Sequence, residues 1–248
     1  MEVVVKIFIL QSLKKITEKK YIITKYISNV NLINQKKYDL RLYVLITGLK
    51  PLRIYLYKEG LVRIASKNYT LNPLSLKNKY IHLTNTAINI HHKNFIFPKN
   101  FSDITANILS LKAYEKYLKE NNANYNNINQ KIKDLIIKAI ISLQDKIINK
   151  NEELNLDDRN LFNLFGFDIL ITDELKPILL EVNTNPDMNL YTNVEKIIKT
   201  NLFIDTLNII GIVPFSRTEK FDSFFKYKNK NNFEEIIQNA FCELSRPK

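Results

Sequence analysis

Tryptophan is absent, and Cys242 is the one cysteine in 248 residues. A lone cysteine excludes an intrachain disulfide and a cysteine-based zinc site. The chain has four glycines, Gly48, Gly60, Gly166 and Gly211, too scattered to build a glycine-rich phosphate cradle. Three histidines, His82, His91 and His92, form an adjacent pair and a remote singleton, a poor metal signature that reads as packed or loop positions. No uncharged apolar run approaches the roughly 18 residues of a membrane span. The opening MEVVVKIFIL is apolar but contains Glu2 and Lys6, and it lacks the basic start, long core and cleavage site of a secretory leader. A reducing, cytoplasmic location is the default expectation.

What is present is basic. Lysine and arginine number 37 against 25 acids, a net charge of +12. That balance favours an acidic partner, although Lys is abundant together with Asn and Ile, a compositional bias that itself raises the charge. No motif or aromatic-basic interleaving supports a nucleic-acid reading. Hydrophobic residues make up 45%, enough for a real core, in one large domain or two small ones.

Tyr21–Ile27 reads as β-rich and Tyr38–Thr47 as an alternating strand. Arg53–Tyr57 and Leu61–Ala65 read as two strands joined by a turn at Lys58-Glu59-Gly60. Residues 86–102 read as a long loop, Ile104–Lys119 as a helix capped by Ser102 or Asp103, and 121–130 as a flexible low-complexity insertion. Apolar residues from Ile128 to Ile147 recur at helical steps, 151–160 reads as an acidic loop, and Thr192–Ile210 reads as a helix stopped by Gly211. Another helix is expected over Phe233–Phe241. The order of strands, helices, then a strand pair suggests an α+β fold.

The stretch 164–186, LFGFDILITDELKPILLEVNTNP, is the chemical centre. It reads as a hairpin of Phe165–Thr172 and Pro177–Asn183. Centred between Glu174 and Leu175, it sets Asp168 opposite Glu181, with Asn183 on the same face. Opposed acids with Cβ atoms about 5 Å apart repel. Either a hard cation such as Mg²⁺ joins them, or both point into water.

Four segments then stand in a telling order: KYDLRLYVLIT (37–47), PLRIYLYKEGLVRIAS (51–66), HLTN (82–85) and the 164–186 hairpin. Together with IKTNLFIDTLNIIG (198–211), they make residues 21–211 resemble the tubulin-tyrosine ligase-like family. The run through KEGLVR looks closest to its polyglutamylase-type members. The resemblance implies an ATP-grasp fold, ATP and Mg²⁺ as cofactors, and a cytoskeletal, microtubule-associated setting. It also implies addition of an amino acid, foremost glutamate, to acidic tubulin tails through an acyl phosphate. By motif position, Asp168, Glu181 and Asn183 match the metal-binding triad, and Lys37 and Asp39 match positions near adenine and ribose. Arg41 and Arg63 match arginines facing phosphate and substrate carboxylate. Asn85 matches a polar residue of the substrate pocket, and Lys199 a substrate-side lysine of the closing helix.

The family's glycine-rich loop and a WIxKP-like lysine strand are not found, and Asn185 stands where serine is commoner. The chain is therefore expected to hold the C-terminal part of the catalytic unit. Residues 1–20 are left unassigned, 21–213 form the ligase-like domain, and 214–248 form a Lys/Asn/Phe-rich tail. The alternatives are tyrosine or glycine transfer, or a non-catalytic tubulin-binding remnant.

Overall fold

The computed structural model describes residues 24–156, 161–211 and 232–238. The chain contributes strands β1 (Leu32–Ile33), β2 (Lys36–Leu49), β3 (Leu52–Ile64), β4 (Ile108–Ser110), β5 (Asn163–Ile171), β6 (Pro177–Asn183) and β7 (Phe233–Gln238). Among the described residues five α-helices accompany them: α1 (Lys79–His82), α2 (Thr86–Asn89), α3 (Leu111–Glu120), α4 (Tyr125–Glu153) and α5 (Asn193–Ile210). The strands form one sheet in the order β4-β3-β2-β5-β6, with β1 added on β2 and β7 on β3. Every pairing is antiparallel, which matches the α+β expectation.

The two-residue period of β2 sorts its side chains. Leu40, Leu42, Val44 and Ile46 join Phe167, Ile169 and Ile171 of β5 on one face, under α3 and α4. Helix α4 supplies Ile128, Ile132, Ile136 and Ile140, the apolar stripe legible in the sequence. Each such side chain, fully buried, contributes about 1.5–3 kcal/mol. On the opposite face, Tyr43 and Leu45 pack with Tyr57 and Leu61 against Val194, Ile198 and Leu202 of α5. Beyond that apolar patch, the same face of β2 carries Arg41, Asp39 and Lys37. Helix α5 thus covers one end of the face and leaves the charged end to the site.

Several expected elements differ. Lys58-Glu59-Gly60 is not a turn, because β3 runs unbroken through it. The pairing with β2 jumps from Leu42↔Gly60 to Val44↔Leu56, a bulge. Glu59 sits in this bulge; burial raises its pKa, and the backbone amides of Lys112 and Leu111 at the start of α3 and of Gly60 oppose the rise. A carboxylate there meets the positive end of a helix.

The helix expected from Ile104 begins only at Leu111. Asp103 and Asn107 instead bind backbone: Asp103 accepts from the Thr105 and Lys99 amides, and Asn107 bridges Ile96, Ile64 and Ala65. Such local bonds compete with a helix, and Ser110 becomes the cap. The expected insertion at 121–130 holds the beginning of α4, capped by Asn124. Residues 151–153 of the expected acidic loop end that helix, and 157–160 lie outside the described residues.

Residues 24–29 form no strand, and Val30 makes only an isolated bridge to Thr172. The 86–102 loop contains α2. Phe233–Gln238 is a strand, not a helix, and Phe233 stacks on Tyr57 with ring centroids 5.0 Å apart. The rest of the tail and residues 1–23 lie outside the described residues. Among the described residues no helix is long and apolar enough to cross a membrane.

Gly60 tests the bulge. A Cβ there would sit 2.8 Å from the Arg41 carbonyl oxygen and 2.9 Å from Leu42 Cδ2. Gly60→Ala should destabilise by about 1–3 kcal/mol, as overpacking does, read as a lowered urea midpoint. An unchanged midpoint contradicts the bulge geometry.

Candidate active site

The charged face of the sheet is built by register. Arg63 lies opposite Asp39, Arg41 opposite Asp168, and Asp168 opposite Glu181. Arg63 donates from Nε to Asp39 Oδ1 at 2.7 Å and from Nη2 to Oδ2 at 2.6 Å. Its Nη2 also reaches diagonally to Asp168 Oδ2 at 2.8 Å. Arg41 grips Asp168 with a second fork, its Nε on Oδ1 and its Nη2 on Oδ2 at 2.9 Å. Thr84 donates its hydroxyl to Asp39 Oδ2 at 2.7 Å. Arg41 and Asp39 share a face of β2 but do not pair with each other; Arg41 takes Asp168 and Arg63 takes Asp39.

These four charged residues are buried and balance one another. Burial opposes the charge on Arg63, but Asp39 and Asp168 outweigh it and raise its pKa. Burial likewise opposes ionisation of Asp168, and the Arg63 and Arg41 guanidiniums overcome it, holding its carboxyl below the usual range. Bidentate geometry makes such buried pairs tolerable, because it offsets desolvation with charge-assisted hydrogen bonds.

Two groups flank this neutral row without a matching counter-charge among the described residues. Lys37 is 8% exposed, and its Nζ lies 3.4 Å from the Tyr26 hydroxyl and 4.7 Å from the Tyr26 ring centroid. Burial lowers its pKa to about 8, with Asp39 opposing the shift. At the other end, burial lifts the pKa of Glu181, and the neighbouring Asp168 carboxylate adds to the rise. Asn183 donates its Nδ2 to Glu181 Oε1 at 3.1 Å.

The hairpin that brings these acids together has an unforeseen construction. Near its loop the pairs are Ile171↔Pro177, Leu170↔Ile178 and Ile169↔Leu179, centred on Glu174. The register then shifts between Asp168 and Ile169, so that Leu180 is the extra residue and Asp168 meets Glu181. The expected partner is correct, but a bulge supplies it, not the expected loop centre. Leu175 closes the loop at φ 57, with its amide bonded to the Thr172 carbonyl.

Gly166, two residues before Asp168 and on the same face of β5, leaves room for the Arg41 side chain. A Cβ there would lie 2.9 Å from Pro186 Cβ and 3.2 Å from Arg41 Cδ.

The donor set suits a hard cation. Asp168 and Glu181 offer carboxylate oxygens and Asn183 an amide oxygen, the chemistry of Mg²⁺ held together with substrate oxygens. Among the described residues no cluster of three or more His, Cys, Asp and Glu could hold a metal without such help.

Lys37, Asp39, Arg41, Arg63, Asp168, Glu181 and Asn183 are thus brought to one face. Asn85 is exposed at the start of α2 with no side-chain cap bond, whereas its neighbour Thr84 enters the network. Lys199 is buried in α5, bonded to the Asn189 carbonyl and Glu195. Sequence reasoning missed Thr84, Tyr26, Gly166 and Glu195. HLTN pointed to the right turn but not to its hydroxyl.

Asp39→Ala leaves Arg63 buried with one carboxylate instead of two. The expected loss is about 3–5 kcal/mol, the cost of breaking a buried pair, measured by chemical denaturation. A loss within experimental error of zero contradicts the network. Lys37 gives a pH signature. Its native pKa lies below that of the unfolded chain, so the unfolded state binds the extra proton between about pH 8 and the ordinary lysine value of 10.5. Stability contributed by this group therefore rises with pH across that window. The ¹³Cε resonance of Lys37 should titrate with a midpoint near 8; a midpoint near 10.5 contradicts its burial.

Known proteins match this chain over most of its length. The tubulin-tyrosine ligase family model matches residues 5–220. A tubulin monoglutamylase of Mus musculus is 38% identical over 195 residues, covering 77% of this chain and 16% of its own length. A tubulin polyglutamylase of the same species is 33% identical over 224 residues, covering 88% of this chain and 17% of its own. A probable beta-tubulin polyglutamylase of Tetrahymena thermophila is 35% identical over 204 residues, covering 80% of this chain and 17% of its own. The chain spans about a sixth of the length of these three relatives. The residues at the site and the extent of the match lead to one assignment: the chain belongs to the tubulin-tyrosine ligase family.

Proposed function

We propose that this chain carries the C-terminal catalytic face of an ATP-grasp ligase that adds glutamate to the acidic tails of tubulin. The observation that supports it most is the self-neutralising row Asp39–Arg63–Asp168–Arg41, flanked by Lys37 at one end and by Glu181 and Asn183 at the other. A row that served stability alone would be complete in itself. Here a cation with a depressed pKa and a carboxyl with a raised one are left over, each poised to gain from a charged ligand. The names of the relatives, tubulin mono- and polyglutamylases, favour tubulin as acceptor and glutamate as the added amino acid. The +12 charge suits an acidic tail.

In this reading the acceptor carboxylate displaces ADP from the γ-phosphorus of ATP and becomes an acyl phosphate. The amine of free glutamate then attacks the acyl carbon, an amide forms, inorganic phosphate leaves, and the amine gives up a proton. Asp168, Glu181 and Asn183 are the residues that would hold Mg²⁺, which supplies neutralisation of phosphate charge. The protein's share is positioning and electrostatics.

Each arginine fork spends Nε and Nη2 on an aspartate, which leaves Nη1 to meet a phosphate or substrate carboxylate. Asp39, with both oxygens engaged by Arg63 and Thr84, holds Arg63 in place. Lys37 regains its charge beside an anion, which favours the protonated form. Asn85, at the mouth of the turn that carries Thr84, is assigned to the substrate side.

The direct test incubates the chain with tubulin, labelled glutamate, ATP and Mg²⁺. Glutamate should enter the tails, and Asp168→Asn and Glu181→Gln should each lower the rate at least 100-fold, on the scale of lost electrostatic stabilisation. No transfer by the folded chain contradicts the proposal. Preference for labelled tyrosine or glycine would reassign the amino acid, and salt-sensitive tubulin binding without transfer would mark a binding module. Anion affinity of the nucleotide subsite should fall as pH rises through about 8, where Lys37 loses its proton.

A further inference from the structure

Lys199 was expected on the substrate side, yet its surroundings are closed. It is 3% exposed, and Glu195, one turn earlier on α5, is 1% exposed. Its Nζ donates to the Asn189 carbonyl at 2.6 Å and to Glu195 Oε1 at 3.2 Å. The Tyr191 ring centroid lies 5.8 Å away. The other Glu195 oxygen accepts from Thr192 Oγ1 at 3.1 Å, and that hydroxyl oxygen accepts the Glu195 amide at 3.2 Å. Two of the three ammonium protons are committed to protein, and the charge is matched by a buried carboxylate.

We infer that Lys199 is a positioning residue: with Glu195 and Thr192 it forms a buried ionic clip that fastens segment 184–192 over the charged face. The segment runs from the last acidic-strand residue, Asn183, to the cap of α5. Inside it, Asp187 accepts the Asn189 amide at 2.8 Å, shaping the turn whose carbonyl Lys199 takes. Upstream, Pro186 closes on Gly166, since a Cβ built there would lie 2.9 Å from Pro186 Cβ and 3.3 Å from Arg41 Nε. Pro186 and the Arg41 side chain therefore both close on the bare Cα of Gly166, with the Arg41 fork on Asp168. The clip acts on the site at second hand, by fixing the wall that orients Arg41 and by fixing the exit of the strand bearing Glu181 and Asn183. Glycine at 166 and proline at 186 are the two contacts through which it acts.

The consequence for the site rests on the proposed metal set, but the clip itself does not, and the test separates them. Hydrogen exchange of 184–192 and Mn²⁺ affinity are measured on the folded chain for Lys199→Met, Glu195→Gln and the double variant Glu195→Met/Lys199→Met. Each single variant leaves one buried partner unmatched; the double variant removes both, a change often neutral for buried pairs. The expected result is at least tenfold faster exchange in 184–192 and at least fivefold weaker Mn²⁺ binding in each single variant. In the double variant, which lacks the ammonium on the Asn189 carbonyl, exchange in 184–192 should stay at least tenfold faster than in the parent even where overall stability recovers.

Parental exchange rates in Lys199→Met overturn the clip. So does a Glu195→Gln variant that folds, shown by a cooperative thermal transition, and keeps parental exchange and Mn²⁺ affinity while Lys199→Met loses them, because Lys199 would then act by direct contact. If the single variants do not fold, the double variant decides: fast exchange in 184–192 supports the clip, and parental protection overturns it. If the parent binds no Mn²⁺, the metal reading fails, and the exchange data alone still decide the clip.

Discussion

Arg63 is the residue on which the charged face depends. It lies in the middle of the sheet, almost without water, between Asp39 of its neighbouring strand and Asp168 two strands away. A guanidinium is costly to bury and cannot shed its proton, so the fold must keep both aspartates ionised and in reach. That requirement ties β2, β3 and β5 together on the face that α3 and α4 do not cover. Thr84 extends the tie to the turn between α1 and α2 through Asp39. Arg41 repeats the solution one residue pair along and makes the row neutral.

Neutrality at the centre gives meaning to the ends. Lys37, buried, and Glu181, exposed on the edge strand, lie on the same face, and among the described residues neither has a full counter-charge. Their pKa values move in opposite directions, each toward its uncharged form, because burial penalises charge. Such groups gain most from a ligand of the opposite sign: an anion beside Lys37, a cation beside Glu181. The reaction proposed for this chain would bring phosphates and a divalent cation to this one face.

Much of this was legible in the sequence where a period decides the structure. The alternation of β2, the apolar stripe of α4 and the Thr192-to-Gly211 bounds of α5 follow from spacing and caps. The meeting of Asp168 with Glu181 was legible as well, though the bulge at Leu180 was not, since a single extra residue leaves no compositional trace. Errors arose where a side chain overrides local propensity. Glu59 meets the N-terminus of α3 within a Lys-Glu-Gly run that stays extended. Asp103 and Asn107 take backbone groups that a helix would need, and Asn124 hides a cap inside an asparagine-rich run. Within the site, residue types and strand placement were readable, but partners were not. Which arginine holds which aspartate depends on long-range register, and the roles of Thr84 and Glu195 exist only in the folded chain.

The central claim is that the buried row presents Asp168, Glu181 and Asn183 as one oxygen site. Paramagnetic broadening by Mn²⁺ in an amide and side-chain NMR spectrum tests it most directly. The account predicts that substoichiometric Mn²⁺ first removes signals of Asp168, Glu181, Asn183 and their strand neighbours, and that Glu181→Gln abolishes the effect. Broadening centred elsewhere, or unchanged by Glu181→Gln, would contradict it.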